Sequence, residues 1–346
     1  MPTRRERRVP RAERLPVDRA ADDLDWHSLR LFLQLYRAGS FRACAASLEI
    51  SVNSLRRRIE ALEAALQLPL FIRTVDGIRP TTGGEHILAA AEAMEQAAFR
   101  VLRARGSVSN DIEGEVRIAV TEGLGTAWLT PRLVEFQNAF PNLRVALNCA
   151  MNSADVLRME ADIAVQLTRP DAADVKLVRL GYLHTMPFAS RAYAGRNGLP
   201  TNVDELIKHR LILQIAEQTS QLSIFGDMLP RFPYPPTVPI TTNTSSALAL
   251  AIANGAGIGW LPTYVSSLQT GLLPVDCGLN FRFDVWLTYH PEVEVIPRVR
   301  QTINWIKSSF DAGLYPFFGE TYIHPADLPT VDRHIPLSEL YKGFVP

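Results

Sequence analysis

From Ser51 to Arg58 the chain reads Ser-Val-Asn-Ser-Leu-Arg-Arg-Arg, a set of side chains suited to nucleic acid. Asparagine can make two hydrogen bonds to adenine and arginine two to guanine, and serine and arginine also take phosphate oxygens. Three arginines alone more often mark a solvated helix face. The neighbouring residues shift that balance. Leu55, Ile59, Leu62 and Leu66 recur at spacings of four, three and four, which is one stripe of a 3.6-residue helix. Turning about 100° per residue from that stripe sends Asn53 and Arg57 to the far face, with Ser54, Arg56 and Arg58 beside them. Ser51 stands where an N-cap belongs. The spacing predicts a helix with a buried leucine seam and an outer face that can reach base edges.

Such a helix needs a frame. Upstream, Leu29, Phe32, Leu33 and Tyr36 form an amphipathic helix, Gly39-Ser40 ends it and caps the next, and Phe41, Ala45 and Leu48 give that next helix its apolar face. Downstream, residues 69–74 and 78–80 read as two short strands joined at Asp76-Gly77, a favoured hairpin pair. Three helices and a hairpin make a winged helix-turn-helix, with Arg73 and Arg79 on the wing. The candidate DNA contacts are Ser40, Arg42, Ser51, Asn53, Ser54, Arg56, Arg57, Arg58, Arg73 and Arg79.

The run over Leu29 to Glu85 closely resembles the N-terminal domain of LysR-type transcriptional regulators. The shared landmarks are Gly-Ser-Phe at 39–41, Ala45-Ala46 followed by Leu48, Ser51 opening the third helix, Leu55 with Ile59 and Leu62-Glu63, Leu70-Phe71 with Arg73, and Arg79, Thr81 and Gly84 after the wing. Two positions depart: Val52-Asn53 stands where the family often has Gln-Pro, and Pro80 replaces an apolar wing residue. Base preference is therefore not carried over.

The formal charge is zero, yet residues 1–105 hold eighteen Arg against thirteen acidic residues, net +5, and the remainder is net −5. The positive part is the one with the candidate DNA reader, as an electrostatic footprint requires. Residues 1–23, rich in Arg, Pro and acidic side chains, are expected to form a disordered arm. This arm lacks the apolar core of a signal peptide and no run of about eighteen apolar residues occurs, so a cytoplasmic protein without a membrane partner is expected. Cys44, Cys149 and Cys277 are odd in number and widely spaced. They suggest buried thiols rather than a disulfide framework or a zinc site, although a redox pair of Cys149 and Cys277 is conceivable.

Thr82 to Glu85 has capping-box spacing and opens a long helix to about Arg105. Its stripe of Ile87, Ala91, Met94, Ala98 and Val101 steps by four, three, four and three, the period of two helices side by side, and predicts dimerisation. A polar linker, 106–113, follows. Strand and helix patterns then alternate: strands at 116–121, 143–149 and 162–167, a helical stripe of Leu129, Leu133, Phe136 and Phe140, and a short helix near 153–159. A second set has strands at 186–189, 211–215, 238–242 and 258–261 with a helix at 244–254, and 282–289 with 296–312 returns to the first. The order of elements resembles the LysR-type effector domain, which looks like a two-lobed periplasmic binding protein with its ligand between the lobes.

Ligands of such sheets sit beyond the carboxyl ends of the strands. This singles out Thr121, Glu122, Gly123, Asn152, Ser153, Gln166 and Thr168 on one lobe and Thr244, Ser245, Trp260 and Pro262 on the other. Each Ser or Thr has an N-capping role as its bland alternative. By resemblance, Glu122 stands where a small hydroxyl residue is common, and a carboxylate there would repel small acids. Gly255 to Gly259 is not a dinucleotide loop, since it follows a helix and enters a strand. No catalytic constellation, metal set or cofactor motif is found, so neither an enzyme nor a cofactor is expected.

The expected architecture is α+β multidomain: arm 1–23, winged helix-turn-helix 24–81, linker helix 82–106, effector domain 113–313 (lobe 1, 113–184 and 283–313; lobe 2, 185–282) and a C-terminal extension 314–346. The resemblance implies a sequence-specific regulator with double-stranded DNA, a small-molecule effector, a homodimer or homotetramer and RNA polymerase as partners. Its rival is a ligand-independent architectural binder whose sensor has become structural.

Overall fold

The computed structural model describes residues 24–74, 77–106, 112–172, 174–219, 237–268 and 270–330. The expected arm 1–23, Asp76 of the hairpin turn, residues 107–111 of the linker and the extension beyond 330 lie outside the described residues. The chain divides into two compact units, Met1–Arg100 and Val101–Pro346.

In the first unit, helix α1 (Trp26–Ala38) starts at Asp25, whose carboxylate accepts from the amides of His27 and Ser28 at 3.1 and 3.2 Å. It stops at Gly39, which sits at φ 65°, a conformation glycine adopts without a Cβ penalty. Helices α2 (Phe41–Ser47) and α3 (Val52–Leu66) begin at Ser40 and Ser51, whose hydroxyls accept from the Ala43 and Ser54 amides. The three helices share one core of Phe32, Leu33, Leu35, Cys44, Leu55, Ile59 and Leu62. Strands β1 (Phe71–Thr74) and β2 (Gly77–Pro80) form the antiparallel wing, and the Gly39 carbonyl accepts from the Ile78 amide at 3.0 Å, tying wing to helix turn.

Helix α4 (Thr82–Gly106) starts one residue earlier than a capping box from Thr82 requires. Thr81 is the cap: its hydroxyl accepts from the Gly84 amide at 2.9 Å while donating to the Pro69 carbonyl at 2.6 Å. Glu85 is then one position too far along to close the box. The apolar stripe of α4 is also split. Ala91 is buried in the core of the first unit and Ile87 packs against it, whereas Met94 and Val101 are exposed.

In the second unit β3 (Gly114–Thr121) runs parallel to β4 (Leu143–Ala150) and β5 (Ile163–Gln166). After β3 comes a π-wound turn, Leu124–Leu129, and helix α5 (Thr130–Ala139). The strand β6 runs without a break over Lys176–Ala189. With β9 (Gly259–Pro262), β10 (Leu273–Pro274) and β11 (Phe281–Tyr289), the main sheet has the order β10-β6-β11-β5-β3-β4, with β9 also beside β6, while β7 (Ile212–Gln214) and β8 (Ile240–Thr242) form a separate pair. Beginning at Lys176, β6 pairs with β11 beside β5; its last residues pair with β9 and β10. One strand thus links two lobes. Sequence reading found only its end, because Lys176, Arg179 and His184 interrupt the apolar pattern.

The second lobe adds helices α6 (Arg191–Asn197), α7 (Val203–Leu206) and α8 (Ser245–Ala253), with β7 parallel to β8. Helix α9 (Pro297–Ser309) returns to the first lobe. The main core joins Val116, Ile118, Trp128 and Ile303 to Leu248, Ile252 and Leu261, so both lobes contribute to it. No helix forms at 153–159. Asp155 accepts from the amides of Leu157 and Arg158 and Met159 lies at φ 55°, so a turn takes the amides that a helix would have used.

Beyond α9, Tyr315, Phe317 and Phe318 set their rings 4.9–5.2 Å from the Trp128 ring, near edge-on. His184 places Nε2 2.9 Å from the Gly319 carbonyl, which can only accept, so the ring donates. The Tyr322 hydroxyl donates to the Met186 sulfur. The described part of the extension is therefore packed on β6 and the core.

Candidate nucleic-acid interface and effector cleft

Helix α3 buries Leu55, Ile59 and Leu62 and exposes Asn53, Arg57 and Arg58. Ser54 and Arg56 are half-buried. The three arginines are not equivalent. Arg58 Nη1 lies 2.9 Å from His27 Nε2, and the Arg56 guanidinium lies 5.6 Å from the Phe41 ring centre, so both lean on neighbouring helices. Ser40 and Ser51 spend their hydroxyls on helix amides, while Arg42 on α2 is exposed. On the wing Arg73 pairs across with Ile78 and Arg79 with Ile72. Cross-strand partners share a face and strand neighbours do not, so the two exposed arginines lie on opposite faces of the ribbon. Ile78 packs toward the core while Ile72 is 52% exposed, so Arg79 is on the outward face. Behind the frame, buried Glu95 takes both Arg37 nitrogens at 3.0 and 2.5 Å, fixing α4 to α1.

In the second unit β5, β3 and β4 are neighbours, so Gln166, Thr121 and the loop at Asn152 and Ser153 emerge side by side. Thr121 is buried and its hydroxyl donates to Gln218 Oε1 at 2.6 Å; the Leu167 amide donates to the same oxygen at 3.0 Å. Glu122 is only 7% exposed. Its Oε2 accepts from the Ser245 and Ser246 amides at 2.7 and 3.1 Å, at the first turn of α8, and its Oε1 accepts from the Thr126 hydroxyl at 3.3 Å. Backbone amides at a helix start favour negative charge, and here the chain's own carboxylate supplies it. A Cβ on Gly123 would lie 2.8 Å from the Ser245 Cβ, so only glycine allows this approach between the lobes. The Tyr264 hydroxyl donates to the Gly123 carbonyl at 3.4 Å, and burial pushes the Tyr264 pKa well up, which keeps that donor protonated.

Thr244 caps α8 through the Ala247 amide, and the Gln214 amide donates to the Ser245 hydroxyl at 3.1 Å. The Ser153 amide donates to Glu217 Oε1 at 3.3 Å, while Asn152 is exposed. Ser153 Oγ, Gln166 Oε1 and Thr168 Oγ1 are buried without a hydrogen-bond partner among the described residues. Trp260 does not join this group: its ring stacks on Phe281 and packs against the Ala189–Leu213–Val275 cluster, and Pro262 ends the same strand. Burial raises the pKa of Cys44, Cys149 and Cys277, which suppresses the reactive thiolate, and all three are free. No cluster of three or more metal-ligating side chains, and no helix long and apolar enough to cross a membrane, occurs among the described residues.

Residues 109–311 match the family model for the LysR substrate binding domain, and residues 26–85 match that for the bacterial regulatory helix-turn-helix protein of the lysR family. The chain belongs to the LysR family of transcriptional regulators. A HTH-type transcriptional regulator of Xanthomonas campestris pv. campestris is 28% identical over 244 residues, 68% of this chain and 69% of the relative. The iron-regulated virulence regulatory protein IrgB of Vibrio cholerae is likewise 28% identical, over 70% of this chain and 82% of its own. The full-length Vibrio cholerae virulence activator AphB shares the fold, with a TM-score of 0.52 at 18% identity over 82% of this chain and 99% of that one.

For this LysR-type regulator, sequence reading missed Gln214, Glu217, Gln218 and Tyr264. Gln214 ends β7 and Glu217 and Gln218 come just after it, so the same carboxyl-end rule applied to that strand would have found all three. Tyr264 carried no signal, since it reaches Gly123 only through the packing of the lobes.

Proposed function

We propose that this LysR-type regulator reads a specific duplex through Asn53, Ser54 and Arg57, with phosphate contacts from Ser40, Arg42, Ser51, Arg56, Arg58, Arg73 and Arg79. Residues 24–81 form the DNA-binding domain, 82–106 the dimerising helix and 113–313 the effector domain, with the cleft at Thr121–Gly123, Asn152, Ser153, Gln166, Thr168, Thr244 and Ser245. The protein works in the cytoplasm as a homodimer or homotetramer, with no catalytic role or cofactor, and acts on RNA polymerase from the bound site. The observation that supports this reading is the division of α3 into a buried seam of Leu55, Ile59 and Leu62 and an exposed face of Asn53 and Arg57. A two-fold pair of such helices matches two half-sites one helical turn apart. Gel-shift titration on DNA upstream of the gene and of its neighbours tests it at about 150 mM salt, where specific binding exceeds nonspecific binding by roughly a thousandfold or more. Equal affinity for unrelated duplexes would sink the reading.

A further inference from the structure

We propose that Glu122 is a built-in ligand of the effector cleft: its carboxylate occupies the anion position at the start of α8, so the wild-type protein does not take a small carboxylate there. The inference rests on reading this cleft as the effector site. A helix N-terminus leaves its first amides without intrahelical partners and attracts negative charge. In this cleft the Ser245 and Ser246 amides donate to one Glu122 oxygen at 2.7 and 3.1 Å, and the Ala247 amide donates to Thr244. The donors that an external carboxylate would need are therefore occupied from within the chain. The contact also holds the lobes together, because Glu122 follows β3 of one lobe and α8 belongs to the other.

Two further observations point the same way. Gly123 leaves no room for a side chain against Ser245, so the lobes meet with no space between them at this point. Gln218 fills a second position in the same manner, its Oε1 accepting from the Thr121 hydroxyl and the Leu167 amide. What remains unmet is the buried oxygen of Gln166, an acceptor, with the hydroxyls of Ser153 and Thr168. The Gln166 oxygen can only accept and so offers a carboxylate nothing, whereas the two hydroxyls can each donate or accept. Replacing Glu122 by a small residue removes the internal carboxylate and leaves the α8 amides open to one from solution.

The test compares full-length wild type with Glu122→Ala, using acetate as the probe at constant ionic strength with chloride as control. Melting temperature and calorimetric titration are the readouts. The variant is expected to melt several degrees lower, to regain most of that loss in acetate but not chloride, and to bind acetate at least tenfold more tightly than wild type. Glu122→Ser gives the same comparison should the alanine variant not fold. Equal acetate responses of wild type and variant overturn the proposal, as does failure of both variants to fold with acetate present. A gel shift on the same samples separates the two readings: specific DNA binding with equal acetate responses rejects the internal ligand alone, and loss of all DNA discrimination by wild type rejects the regulator reading.

Discussion

At the scale of single residues, α3 contains positions whose loss should appear in different measurements. Asn53 and Arg57 are exposed and make no packing contact with the core, so replacing either with alanine should leave thermal stability within about 0.5 kcal/mol. Each should weaken binding to the specific duplex by about 1–3 kcal/mol and relax discrimination at one base position. Leu55 is fully buried, so Leu55→Ala should cost about 2–5 kcal/mol of folding stability whether DNA is present or not. Fluorescence anisotropy on specific and scrambled duplexes, beside urea unfolding of the same proteins, checks the separation. The idea fails if Asn53→Ala lowers affinity equally for both duplexes. This division was legible in advance, because helical periodicity alone assigns inside and outside. What periodicity did not reveal is the unequal use of the arginines. Arg58 leans on His27, thirty-one positions away, and Arg56 lies over Phe41, contacts that depend on how three helices cross. Glu122 shows the same limit: its type and place at the end of β3 were readable, but its partners, the amides of Ser245 and Ser246, lie over a hundred residues away.

At the scale of elements, the segment after α9 shows how a stretch without periodic pattern can still be structural. Its aromatics gave no helix or strand signal, and their role depends on Trp128, whose ring they surround and whose Nε1–H donates to the Ser309 carbonyl at 2.8 Å. Arg132 is drawn into the same group, its guanidinium 3.2 Å from the Trp128 ring centre and 4.8 Å from that of Tyr315. Burial lowers its pKa, while contact with ring faces and the Trp128 carbonyl offsets part of the lost hydration. Phe318 is buried against Phe310, Tyr264 and Trp128, so Phe318→Ala should cost about 3–5 kcal/mol of stability in the second unit. Urea unfolding followed by tryptophan fluorescence measures this; a loss below about 1 kcal/mol would mean the segment is a loosely held tail. The helix expected at 153–159 failed for a comparable reason. Asp155 can bond its own downstream amides, and residue counting does not distinguish a helix cap from a closed turn.

At the scale of the whole molecule, the proposed pairing of two copies rests on α4. Its apolar stripe divides: Ile87 and Ala91 belong to the first unit's own core, leaving Met94 at 41% exposure, Val101 at 72% and Leu102 at 53%. Three large apolar side chains exposed along one helix offer a surface that a second α4 would match by two-fold symmetry. The stripe that predicts dimerisation from sequence is thus shorter than it reads, because its first half packs within the chain. Val101→Glu places a charge in the exposed half while leaving the first unit's core intact. It should shift the dimer to monomer by sedimentation at micromolar protein without changing the unfolding midpoint of the winged domain. Binding to a duplex with two half-sites should fall by about 10²–10⁴, the gain that linking two readers provides, while binding to a single half-site stays the same. Ile87→Glu should instead destabilise the first unit itself, since its partly buried side chain packs on that core. Unchanged sedimentation for Val101→Glu, with two-site binding intact, would show that the copies meet through another surface and that the exposed half of α4 serves a different contact.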